Sequence, residues 1–214
     1  MNQKFDHLLN LVLIGEQSTG KTNIFKRLSS TGTKYDWDNT SKPTVGIDFT
    51  IDTSQIDNQN VKLIIWDMGA ILRFRTILKR FYEQASGFLV VYDITDRESL
   101  EKIQKWIDEI QCNSQERPHV ILIGNKCDLE EERKVSYEEG RSLAEEYGLR
   151  FFEVSAKTSE NIDFVLKMFK REEVAKAKEK AKMKEKKDVR NRLLRTNYQE
   201  NDDGDWSKKD LTLT

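Results

Sequence analysis

Residues Gly15-Glu16-Gln17-Ser18-Thr19-Gly20-Lys21-Thr22 carry the spacing G-x-x-x-x-G-K-[ST], which suits the capture of a phosphate chain. Gly15 and Gly20 let the backbone turn tightly and approach an anion with no Cβ in the way. The N–H groups of this loop and of the helix start behind it form a concave donor surface. Lys21 brings a full positive charge to β- and γ-phosphates, and the Thr22 hydroxyl is placed to ligate Mg2+. Further along, Asn125-Lys126-Cys127-Asp128 follows the apolar run Val120–Ile123, and Ser155-Ala156-Lys157 follows Phe151–Val154. A carboxylate at such a place can accept both N1–H and the exocyclic amine of guanine, whereas adenine presents the opposite edge. Asp128 is therefore expected to select the base, because an unpaired buried partner penalises the wrong one heavily.

These residues need elements to hold them. Apolar runs at Leu8–Ile14, Val61–Trp66, Phe88–Tyr92, Val120–Ile123 and Phe151–Val154 alternate with helical patterns at Lys21–Leu28, Phe74–Gln84, Ser99–Ile110 and Ser136–Tyr147. That alternation predicts crossover units and an α/β fold with a mostly parallel sheet. Several runs are nearly continuous Val, Ile and Leu, as strands covered on both faces require. Ile47–Ile51 alternates instead and, with the polar turn Asp57-Asn58-Gln59-Asn60, predicts a hairpin with Val61–Trp66. The expectation is six strands, one of them an antiparallel edge, with helices on both faces. In such sheets ligands bind outside the carboxyl ends of the strands, where both motif groups fall. Ser136 and Glu139 have capping-box spacing, and Gly148 closes that helix.

The chain has 214 residues, 37% hydrophobic and 34% charged, enough for one domain with an appendage. The pattern Ile162, Val165, Phe169 places a last buried helix, so the domain is expected over 1–169. Between Lys170 and Arg195, 12 Lys/Arg face 5 Asp/Glu, about +7. With little to bury, 170–195 reads as a basic, solvated helix that frays. Residues 196–214 read as disordered. Cys112 and Cys127 lack metal spacing, which suits a reducing intracellular compartment. Leu8–Ile14 is too short to span a bilayer, so a soluble, cytoplasmic protein is expected.

Over residues 8 to 169 the chain resembles the Ras superfamily of small GTPases, and within it the Rab branch. The segments that carry the likeness are Gly15–Thr22, Thr44-Val45-Gly46-Ile47-Asp48-Phe49, Trp66-Asp67, Arg73-Phe74-Arg75-Thr76-Ile77, Tyr92–Leu100, Asn125–Asp128 and Ser155–Lys157. The resemblance implies a P-loop G domain that binds GTP or GDP with Mg2+. It places Gly15 to Asn23, Thr44 and Asp67 around the phosphates, with Thr22 and Thr44 on Mg2+ directly and Asp67 through a water. Asn125, Lys126, Asp128, Ser155, Ala156 and Lys157 would surround the guanine, with the Ala156 N–H on O6. Val45, Gly46, Ile47, Asp48, Phe49, Trp66 and Tyr82 would form the surface offered to effector proteins.

The second switch departs from the family. Asp-x-x-Gly-Gln is expected, and Asp67-Met68-Gly69-Ala70-Ile71 is found. Ala70 stands at the glycine position, and Ile71, at the glutamine position, has no group to orient a water. No intact catalytic residue is left, and single-turnover hydrolysis is expected to be at least about tenfold slower than in an Ile71→Gln, Ala70→Gly double reversion. Gln17 and Ser18 also replace small residues at the loop tip, where Gln17 is expected to obstruct the attacking water. The chain ends without a prenylatable cysteine, so any membrane contact is expected to be peripheral. The leading expectation is a monomeric Rab-like regulator of vesicle trafficking with impaired hydrolysis, serving effectors and an exchange factor and binding no nucleic acid. The alternative is a pseudo-GTPase whose nucleotide is a structural cofactor.

Overall fold

The computed structural model describes residues 4–29, 44, 46–69, 75–114, 117–200 and 206–208. Residues up to Arg171 form one compact unit and those from Glu172 a second. In the first, a six-stranded sheet has the order β2-β3-β1-β4-β5-β6. Its strands are β1 His7–Ile14, β2 Ile47–Ile56, β3 Gln59–Met68, β4 Gly87–Asp93, β5 His119–Asn125 and β6 Arg150–Val154. All pair in parallel except β2 with β3. The hairpin turn is tighter than its polar residues suggest: Asp57 and Asn58 alone make it, at φ 48° and 63°. Two positive φ values in a two-residue loop match the twist of paired strands.

Helices α1 Lys21–Ser29, α2 Arg75–Gln84, α3 Arg97–Glu101, α4 Ile103–Asn113, α5 Tyr137–Glu146 and α6 Ile162–Asn197 follow. On one sheet face Leu89, Ile123 and Val154 meet Ile24 and Leu28 of α1 and Ile162, Val165 and Leu166 of α6. On the other, Val12, Ile14, Phe88, Val90 and Tyr92 join Ile103, Trp106, Ile107 and Ile110 of α4. Alternate residues of each strand thus supply two apolar layers. The helix expected as one piece over Ser99–Ile110 is two, parted at Lys102, whose backbone sits at φ −85°, ψ −2°. The capping box at Ser136 forms as its spacing predicts, and Gly148 has φ 65°.

In the second unit α6 continues as a Lys-rich helix whose side chains are exposed from residue 179 to 191, Met183 and Val189 included. Inside the stretch expected to lack order, β7 Tyr198–Glu200 and β8 Trp206–Lys208 pair antiparallel. No described helix is long and apolar enough to cross a membrane.

Candidate functional site

The strand order places the phosphate loop where a ligand of this architecture belongs. β1 lies between β3 and β4, so the chain runs first to one side of it and later crosses to the other, and the crevice opens at its carboxyl end. Gly15 is there because a Cβ would lie 2.2 Å from the Val91 carbonyl oxygen, and Gly20 because one would lie 2.2 Å from Asn125 Nδ2. Ser18 adopts φ 67°, a region that favours glycine. Gln17 and Ser18 are exposed at the tip, whereas Thr19 is buried and donates its hydroxyl to the Glu16 carbonyl at 3.0 Å. The Glu16 carboxylate turns away from the loop. It accepts from Trp106 Nε1 at 3.2 Å and from Lys102 Nζ at 3.4 Å.

Lys21 Nζ donates to the carbonyls of Gly15 at 2.9 Å and Glu16 at 2.5 Å. Burial lowers its pKa to about 8, against the raising influence of Asp67 and Glu16. Asp67 is buried at the end of β3, and desolvation raises its pKa despite the Thr22 hydrogen bond and the nearby Lys21. Thr22 Oγ1 donates to Asp67 Oδ2 at 2.6 Å and lies 2.6 Å from Thr44 Oγ1. Asp67 Oδ1 is buried without a hydrogen-bond partner among the described residues. Three hard oxygen donors and an orphaned carboxylate oxygen are the set a Mg2+ ion takes, so these residues fit the ion. Asn23 is half-buried on the first turn of α1.

The loops after β5 and β6 are tied to the loop after β1 through Asn125. Its Nδ2 donates to the Thr19 carbonyl at 2.8 Å, and its Oδ1 accepts from the Ala156 N–H at 3.2 Å. Ser155 Oγ donates to Asp128 Oδ1 at 2.6 Å, and Lys157 Nζ lies 3.9 Å from Asp128 Oδ2. Lys126, at φ 69°, pairs with Asp93. The motifs of Asn125–Asp128 and Ser155–Lys157 are thus brought together. Sequence reasoning missed Arg27, which donates to the carbonyls of Ala156 at 2.7 Å and Lys157 at 2.5 Å. It also missed Asp93. Asp93 stands in the Tyr92–Leu100 segment that carries the family likeness, yet its pairing with Lys126, like the Arg27 bonds, forms only through the fold.

On the sheet edge, Phe49 and Trp66 face each other across β2 and β3 with ring centroids 5.2 Å apart. The third aromatic is Phe81, edge-on to Trp66 at 4.8 Å. Tyr82 is not part of this surface: it is 3% exposed and stacked on Phe88. Neighbours on a helix point about 100° apart, so Tyr82 is buried in the core while Phe81 packs at its margin, partly exposed beside Trp66. Gly46, Ile47 and Asp48 are described beside Phe49, with Ile47 and Asp48 exposed. Val45, Ala70 and Ile71 lie outside the described residues.

The pattern of the Ras family matches residues 10–175. The chain is 44% identical over 163 residues to Ras-related protein Rab-13 of Bos taurus, covering 76% of this chain and 78% of that one. It is 40% identical over 161 residues to GTP-binding protein ypt2 of Schizosaccharomyces pombe, covering 75% and 78%. With Ras-related protein Rab-3 of Caenorhabditis elegans the identity is 42% over 164 residues, covering 77% and 73%. The family pattern over most of the chain, and relatives this similar along three quarters of it, place it in the Ras family of small GTPases as a Rab-like member.

Proposed function

We propose that this chain is a guanine-nucleotide-dependent regulator of vesicle trafficking and intracellular protein transport, working at the cytosolic face of membranes. The observation that carries the nucleotide reading is Asn125, whose amide holds the phosphate loop at Thr19 and the base loop at Ala156 at once. One ligand long enough to reach both loops fits that link, and a nucleoside di- or triphosphate is such a ligand. Lys21 binds its phosphates, Asp128 accepts from the guanine edge, and Lys126 lies along the base. The Thr22 and Thr44 hydroxyls would hold Mg2+, with Asp67 acting through a water, and when bound the ion would supply positive charge against the phosphates.

The aromatic strip Phe49, Trp66 and Phe81 is the surface that effector proteins read, and an exchange factor loads the nucleotide. Hydrolysis is weak, because Ile71 offers no hydrogen bond to a water and Gln17 stands exposed at the loop tip. Calorimetric titration with GDP, GTP and ATP tests the binding reading: the two guanine nucleotides bind and ATP does not. Comparable affinity for ATP would remove Asp128 from its role. Single-turnover assays test the hydrolysis reading, where Ile71→Gln with Ala70→Gly raises the rate at least about tenfold. Equal rates in the two proteins count against it.

A further inference from the structure

The last turn of α1 carries Arg27, whose guanidinium crosses to the loop after β6. Its Nε donates to the Ala156 carbonyl at 2.7 Å and its Nη2 to the Lys157 carbonyl at 2.5 Å. A planar guanidinium holds two such acceptors in one fixed geometry, which a single ammonium does not. The N–H groups of the same stretch go to other partners. Ser155 N–H donates to the Glu160 carbonyl at 3.2 Å, Ala156 N–H to Asn125 Oδ1 at 3.2 Å and Thr158 N–H to Ser155 Oγ at 3.0 Å. Arg27 thus sets the polarity of this backbone, with two carbonyls drawn to α1 and the Ala156 N–H left on the side of Asn125. Ser155 and Ala156 are buried, so a carbonyl released there has no water to turn to and costs free energy until its peptide finds another donor. Along α1, Arg27 stands six residues beyond Lys21, about 9 Å further down the axis, so one helix supports both loops.

We propose that Arg27 is a positioning residue for base choice, which keeps a donor and not an acceptor facing the purine 6-position. This rests on the guanine reading above, with the Ala156 N–H on O6. Guanine carries an oxygen at that position and adenine an amino group. A carbonyl turned toward it would repel the oxygen and accept from the amino group. By holding the carbonyls of Ala156 and Lys157 on its own side, Arg27 rejects the 6-amino purine at one edge while Asp128 selects guanine at the other. Its bonds carry a full charge, and such bonds are shorter and stronger than neutral ones.

The test compares the full wild-type chain with Arg27→Met, which keeps the stem and removes the donors, and Arg27→Lys, which keeps the charge without the fork. Affinities for GDP, inosine diphosphate and 6-thioguanosine diphosphate are measured at neutral pH. Inosine diphosphate keeps O6 and lacks the 2-amino group. The thio ligand keeps N1–H and the 2-amino group and puts sulfur, a weaker acceptor, in place of O6. Arg27→Met lowers affinity for GDP and inosine diphosphate by about tenfold each, the scale of one hydrogen bond to a charged group, and for the thio ligand by about twofold. The preference for oxygen over sulfur therefore narrows, and Arg27→Lys falls between the two. A parallel fall for all three ligands marks a brace with no part in base choice and overturns the proposal, as does an unchanged GDP affinity. If Arg27→Met does not fold, Arg27→Lys decides alone, and an oxygen-over-sulfur preference equal to wild type overturns it. A wild-type chain that binds no GDP removes the guanine-nucleotide reading and this inference together. One that binds GDP, with the preference untouched in the variants, removes only this inference.

Discussion

Around Asn125 the protein ties its loops together with side-chain hydrogen bonds, whereas around Thr44 the ties among the described residues are a hydroxyl contact and a close backbone approach at a glycine. On the base side, Asn125 spans Thr19 and Ala156, Ser155 holds Asp128, and Arg27 holds the carbonyls of Ala156 and Lys157. On the switch side, Thr44 reaches Thr22, and Gly69 reaches Gly46. A site whose loops are already tied spends little binding energy on ordering itself. The sequence divides along the same line. The base motifs follow the Rab pattern in full, and the departures fall at Gln17, Ser18, Ala70 and Ile71. Recognition of the nucleotide and its turnover can therefore diverge in this chain.

The largest expected effect belongs to the pre-built side. Asp128→Ala removes both acceptors from the guanine edge while the surrounding loop keeps its Asn125 and Arg27 supports. Affinity for GDP should fall by about a thousandfold, because a site built around paired polar groups rejects a ligand that leaves them unpaired. Isothermal titration with GDP measures it. A loss of less than about tenfold would mean that base identity is read elsewhere, and the contrast between the two sides would lose its basis.

How much of this was legible beforehand follows the same division. The phosphate loop, the capping box at Ser136 and the strand ends bearing Asn125 and Ser155 are local patterns, and local patterns can be read from spacing. Lys102 breaks the helix of residues 97–113 with no glycine or proline to announce it, its ammonium between Glu98 at 2.7 Å and Glu16 at 3.4 Å. The Glu16–Trp106 bond and the Arg27 brace join residues 90 and about 130 positions apart. No window on the sequence contains both partners. Phe81 and Tyr82 present a different difficulty: both are aromatic, both sit on α2, and periodicity alone assigns neither to the core.

Exchanging those two aromatics sharpens the switch side of the comparison. Tyr82 is buried against Phe88, so Tyr82→Ala should lower the unfolding free energy of the GDP-loaded protein by about 3 kcal/mol. Phe81 is half-buried against Trp66, and its loss should cost about 1 kcal/mol. Urea denaturation ranks them. Binding to a partner that reads the Phe49–Trp66 strip should rank them the other way, with Phe81→Ala the more harmful. If Phe81→Ala proves the more destabilising, Tyr82 is returned to the surface and the aromatic strip described above is wrong.

The smallest effect, and the one that probes how ready the phosphate end is, comes from Lys21. Burial holds its ammonium at a pKa of about 8, below the ordinary 10.5. The unfolded chain keeps that proton until about pH 10.5, so the nucleotide-free fold gains stability as pH rises from about 8 toward 10.5. A bound phosphate reverses the balance, because its negative charge favours the ammonium. Binding at alkaline pH must then take up a proton, and GDP affinity should fall by about fivefold between pH 8 and pH 9. Titrations in two buffers with different ionisation heats would register the uptake directly. Lys21→Arg should bind more weakly but lose most of the slope, since a guanidinium stays charged throughout this range. A wild-type affinity that is flat across that unit of pH would mean that the ammonium is already fully compensated by the protein, and the phosphate loop would then be as finished before its ligand arrives as the base loop is.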